Sequence, residues 1–160
     1  MIASTHLAVG AATGLVAQRF FPSNSNKEPV LKRLFFGFVA GYASHLVLDA
    51  FPHQEYGING TALGVILFVE IVAVFAMFFS GRQSSLANAI IFSGMVGGAM
   101  PDFLGMVYGD FLSWSQPDDF ESMVHLFLHG KIPIGFKVSV YVQIFTALAS
   151  FVWVRYKLAK

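Results

Sequence analysis

From residue 62 to residue 80 the chain is an almost unbroken apolar run, interrupted by one acid, Glu70. Runs of the same kind cover residues 3–18, 33–51, 86–107 and 133–154. A helix needs about 20 predominantly apolar residues to cross a bilayer. Backbone polar groups in lipid must be satisfied internally, so at these lengths helices are the expected form. Charged residues make up only 12% of the sequence, against about 25% in an ordinary soluble domain. The sequence therefore predicts an all-α fold, a polytopic membrane bundle of about five helices in a single domain over residues 1–160. A soluble bundle would have to hide all five runs behind few polar faces. The first run is short for a span and is expected either to cross while packed on its neighbours or to re-enter.

The connections are polar. Residues 21–32 hold Pro22, the stretch Ser23-Asn24-Ser25-Asn26 and Pro29. Residues 52–61 are rich in turn formers and carry Glu55 and Tyr56, and residues 81–85 form a tight turn. Pro101 disfavours helical geometry at Met100, which predicts a kink or break inside the fourth run. Gly109-Asp110 is expected to open a longer loop. Within it, Pro117 and the acids Asp118, Asp119 and Glu121 suit a helix start, predicting a short helix over 117–128.

If all five runs cross, the connections alternate sides. Arg19, Lys27, Lys32, Arg33, Arg82, Arg155, Lys157 and Lys160 then share one side, and only Lys131 and Lys137 take the other. The positive-inside rule reads that split as N-terminus out and C-terminus cytoplasmic. All five histidines fall towards the outer side, under a polar extracytoplasmic cap made from residues 52–61 and 109–131. The N-terminus lacks the basic region of a cleavable signal and is expected to be mature structure.

Several chemistries are excluded. Without cysteine there is no disulfide framework, thiolate metal site or cysteine nucleophile. No lysine-rich arm or basic–aromatic run points to nucleic acid. Nucleophile elbow, phosphate loop and dinucleotide fingerprint are all missing.

What remains is a stripe of histidines and carboxylates. His45 and Asp49 are four residues apart and share a helix face. The same step runs back to Gly41 and Gly37 and forward to His53, just past the helix-ending Pro52. The first run repeats the pattern with His6, Gly10 and Gly14, and the fourth with Gly94, Gly98 and Asp102. Gly-x-x-x-Gly spacings let helix backbones approach closely. Three helices packed through them would aim His6, His45, Asp49 and Asp102 at one place. Imidazole and carboxylate are normal ligands of zinc and related divalent ions, and such groups in an apolar helix are expensive without a purpose. The expectation is a centre for one or two divalent ions, with zinc first, ligated by His6, His45, Asp49, His53 and Asp102. His125 and His129, again four apart, would complete it or grip substrate. The competing reading makes His45 and Asp49 an interhelical hydrogen-bonded pair, Asp102 a helix cap, and His125 and His129 solvated. Glu70 is expected to make a polar contact with a neighbouring helix, or to stay protonated, and to take no part in catalysis.

Thr5-His6, His45-x-x-x-Asp49 and Gly98-x-x-Pro101-Asp102 resemble motifs of the LexA-binding, inner-membrane-associated metal-dependent hydrolases, a family distantly similar to helical zinc-dependent phospholipase C enzymes. The resemblance implies ligand roles for His6, His45, Asp49 and Asp102, and a place in a bacterial-type inner membrane. Leu104 stands where that family carries a second acid. The functional expectation is a membrane-bound metal-dependent hydrolase with membrane lipid as its partner, acting on a phosphoester or lipid headgroup at the outer interface. Glu55 and Asp49 are the expected catalytic carboxylates, Glu55 as general base. The alternative is a non-enzymatic assembly subunit, or an ion or small-solute carrier, using the same residues. Oligomeric state is left open.

Overall fold

The computed structural model describes residues 3–20, 30–49, 61–81, 83–112 and 136–159. Among them the fold is all-helical: α1 (Ala3–Phe20), α2 (Val30–Asp49), α3 (Thr61–Phe79), α4 (Ser85–Leu112) and α5 (Phe136–Leu158). These match the five apolar runs to within a few residues at most ends. The helix expected over 117–128 lies outside the described residues.

Two boundaries differ from expectation. Helix α4 continues through Pro101 without a break and runs beyond Gly109-Asp110 to Leu112. Proline withholds one backbone donor and crowds the carbonyl four residues back. Here that residue is Gly97, in a glycine-rich turn with no side chain to add to the crowding.

The helices alternate in direction. At one end of the α1–α2 pair, the Gln18 side-chain amide donates to the Arg33 carbonyl at 3.1 Å; at the other, His6 meets Asp49. Helix α4 runs with α2, since Ser93 Oγ donates to the Leu34 carbonyl at 2.6 Å and His45 lies against Gly98. Helices α3 and α5 run with α1. Both meet its first turn, at Glu70 and Gln143, and further along Phe78 and Phe151 pack edge to face at 5.5 Å.

The centre of the bundle is a seam of α1, α2 and α4. A methyl group added at Gly94 would strike the Gly10 carbonyl oxygen and lie 3.2 Å from the Gly14 Cα. One added at Gly41 would strike the Gly94 carbonyl oxygen, and one at Gly97 the Phe38 carbonyl oxygen. Backbones in such contact bring neighbouring side chains and carbonyls together across three helices. Beside the seam an apolar core joins Leu7 and Ala11 of α1, Val74 and Phe78 of α3, Ile91 and Met95 of α4, and Val154 of α5.

The outer faces of α3 and α5 are apolar: Phe68 is 66% exposed and Phe145 73%. Among the described residues one helix, Lys137–Leu158, is long and apolar enough to cross a membrane, and the apolar stretch Gly64–Phe79 is shorter.

Candidate metal centre

The seam brings the candidate ligands together. His6 is in the second turn of α1, His45 and Asp49 in the last turns of α2, and all three are buried. One candidate ligand atom from each lies within 4.8 Å of the others, so the three form a group that could hold a metal ion. Asp102, one residue past Pro101 on α4, brings Oδ1 to 3.5 Å from His45 Nε2 and is about half exposed. The four-residue step therefore converges as the sequence implies for His6, His45, Asp49 and Asp102. His53, Glu55, His125 and His129 lie outside the described residues.

His45 has a defined tautomer. Its Nδ1 lies 2.7 Å from the Gly98 carbonyl oxygen, which can only accept, so Nδ1 carries the proton. In the neutral ring Nε2 then presents a lone pair. That nitrogen faces Asp49 Oδ2 at 2.9 Å and Asp102 Oδ1 at 3.5 Å. A lone pair and a carboxylate oxygen cannot bond to each other; a proton or a cation must lie between them. His6 approaches Asp49 from the other side, with Nε2 3.4 Å from Oδ1; its Nδ1 has no acceptor among the described residues, so its tautomer is not fixed as that of His45 is. The two rings stack with centroids 3.9 Å apart and planes 25° from parallel. Two protonated rings would stand positive face to face, so the metal-free arrangement is a protonated His45 beside a neutral His6, both donating to Asp49; a shared cation instead satisfies both nitrogens and the carboxylate together. Ligands at about 2.0–2.1 Å around a tetrahedral ion stand about 3.3–3.4 Å apart, close to the His6–Asp49 and His45–Asp102 separations.

The centre is recessed. The first turn of α1 lies beside Glu70, half way along α3. The nine residues of α3 before Glu70, at about 1.5 Å per residue, carry that helix roughly 13 Å beyond the level of the cluster. Helix α4 likewise runs ten residues past Asp102 to Leu112. The sequence placed the candidate ligands at the outer helix ends, which holds for His6, His45 and Asp49 on α1 and α2 but not for Asp102, ten residues short of the end of α4.

Sequence reasoning missed the Gly98 carbonyl as the group that orients His45, because a backbone acceptor leaves no residue signature. It also passed over Ser139 and Gln143 of α5, four residues apart and buried, where Gln143 Nε2 donates to Ser139 Oγ at 2.8 Å. The spacing that singled out His45 and Asp49 would have found them.

Comparison with known proteins found no matching family model, no matching curated protein and no matching solved structure.

Proposed function

We propose that the protein is a membrane-bound, metal-dependent hydrolase whose centre is His6, His45 and Asp49, with Asp102 on the open side. The observation that carries this reading is the convergence of two buried imidazole Nε2 atoms on one buried carboxylate, with the His45 proton already committed to Gly98. Two imidazoles and one carboxylate form the donor set of catalytic zinc sites, which keep a position free for water or substrate. The same set also serves non-haem iron. Zinc is the choice here, because hydrolysis needs no redox change. A bound divalent ion would supply Lewis acidity and lower the pKa of its water. The chain's own part is to hold the ion through the three buried ligands and to exclude solvent from their inner side. Asp102 supplies a further carboxylate where the cluster opens. The substrate class that suits this chemistry is a phosphoester, including a lipid headgroup.

The membrane reading rests on apolar surface. Large aliphatic and aromatic side chains stand exposed along α3 and α5, among them Val65, Phe68, Val69, Tyr141, Val142 and Phe145. An aqueous surface would normally break up so contiguous an apolar patch. Among the described residues the bases Arg19, Lys32, Arg33, Arg155 and Lys157 share the end opposite Asp49 and Asp102, and Lys137, at the start of α5, takes the other. That asymmetry favours the bases facing the cytoplasm. The protein is therefore expected to sediment with membranes through a carbonate wash and to come off only with detergent. Recovery in the detergent-free supernatant would remove the membrane from the proposal.

The function is tested on detergent-purified wild type. Elemental analysis is expected to find a stoichiometric divalent ion. A chelator should remove the ion together with turnover of a chromogenic phosphodiester, and added zinc should restore both. Absence of the ion ends the metal-centre reading. A bound ion without turnover of any phosphoester would leave the carrier or assembly role in place of the hydrolase.

A further inference from the structure

Three consecutive residues in the first turns of α1 engage three different helices. The Ser4 amide donates to Glu70 Oε2 of α3 at 3.2 Å. The Thr5 hydroxyl donates to the Gln143 carbonyl of α5 at 3.3 Å. The His6 ring stacks on His45 of α2 and faces Asp49. The first amides of a helix have no partners within it, and they form the positive end of its dipole. A carboxylate is the group that answers both, and Glu70 brings one from 66 residues away.

The two histidines are not held alike. A ligating histidine normally donates its second ring nitrogen to an acceptor that fixes the ring, and losing that partner typically costs about 10–100-fold in metal affinity. His45 has such an acceptor in Gly98. The Nδ1 of His6 is buried and has no hydrogen-bond partner among the described residues. Its ring is thus fixed by the stack on His45 and by the path of its own backbone. That path is set two residues earlier, where Ser4 is tied to α3.

We infer that Glu70 is a positioning residue for the metal centre, holding the start of α1 so that His6 Nε2 stays aimed at the ion. The inference rests on the metal-centre reading above and adds to it a residue that touches neither ion nor substrate. Glu70 is remote in sequence from every ligand, in the middle of the most apolar helix. Its carboxylate holds the backbone two residues before His6, whereas the Gly98 carbonyl holds the His45 ring itself.

The test uses the full chain in detergent with cobalt(II) as the probe, because its visible bands report the number and geometry of its ligands. Wild type is expected to bind cobalt with a defined spectrum. Glu70→Ala should bind it about tenfold more weakly or worse, with altered bands. Glu70→Gln keeps an acceptor oxygen at the same reach and should restore both spectrum and affinity. Where Glu70→Ala does not fold, Glu70→Asp takes its place, its shorter side chain drawing the oxygen back from Ser4. A residue that only stabilised α1 would lower the melting temperature and leave the spectrum of the bound ion unchanged. That result, or a folded Glu70→Gln with altered bands, overturns the inference while the metal centre stands. Wild type that binds no cobalt overturns both.

Discussion

Gly94→Leu is expected to abolish folding, the largest effect of any single substitution in the bundle. At this position α4 touches the Gly10 carbonyl of α1, while its own carbonyl lies against Gly41 of α2. The atoms a side chain would displace are backbone atoms of α1, which cannot turn aside as a flexible side chain can. Even Gly94→Ala must push helices apart. Overpacking of a tight core usually costs about 1–3 kcal/mol, occasionally more, and a contact on backbone belongs at the upper end, about 3 kcal/mol. Gly64 of α3 provides the control, since a methyl group there meets nothing within 4 Å. Gly64→Ala should be neutral or stabilising by up to about 1 kcal/mol, the difference in helix propensity. Far-UV circular dichroism and thermal melts in detergent separate these outcomes. A Gly94→Leu protein melting with the wild type would mean that α1, α2 and α4 do not meet at this seam.

Asp49→Asn should lower divalent-ion affinity by more than about 100-fold, beyond the 10–100-fold typical of an outer hydrogen-bond partner. Asp49 is the one described carboxylate that faces both imidazoles, at 2.9 and 3.4 Å. Asparagine keeps its size but removes the charge that draws the cation between the rings. Asp102→Ala should lose less, because Asp102 is half exposed and stands 3.5 Å from one imidazole only. Elemental analysis after dialysis gives the stoichiometry, and calorimetric titration gives the affinity. If Asp49→Asn retains its ion, Asp49 is a hydrogen-bond partner for buried imidazoles and not a ligand.

Much of this was legible before any coordinates, for two physical reasons. Long apolar runs announce helices wherever their polar breaks are clear, as between α1 and α2. The four-residue step fixes a helix face, so the alignments His6–Gly10–Gly14, His45–Asp49 and Gly98–Asp102 each carried their own geometry. Where they failed to reach is equally physical. Pro101 was expected to kink or break α4, and the break does not occur: the helix is continuous through it while packed against α1 and α2. Gly97 contacts α2 outside the Gly-x-x-x-Gly register and was not distinguished from its neighbours. Glu70 was expected to contact a neighbouring helix and does. That the contact would be the start of α1 depends on how far one helix is slid along another, which no single-helix periodicity encodes.

Gly98 does two jobs at once. A methyl group on it would lie 2.5 Å from the His6 carbonyl oxygen, and its own carbonyl receives the His45 ring proton. The spacing between helices and the bite of the ligands thus share one gauge block. A sub-ångström slip of α4 would move the acceptor of the His45 ring, and with it the aim of Nε2, before any side chain in the cluster had altered. Conversely, an ion seated there would act as a rivet, stabilising the assembled state by its free-energy preference for that state over the opened chain.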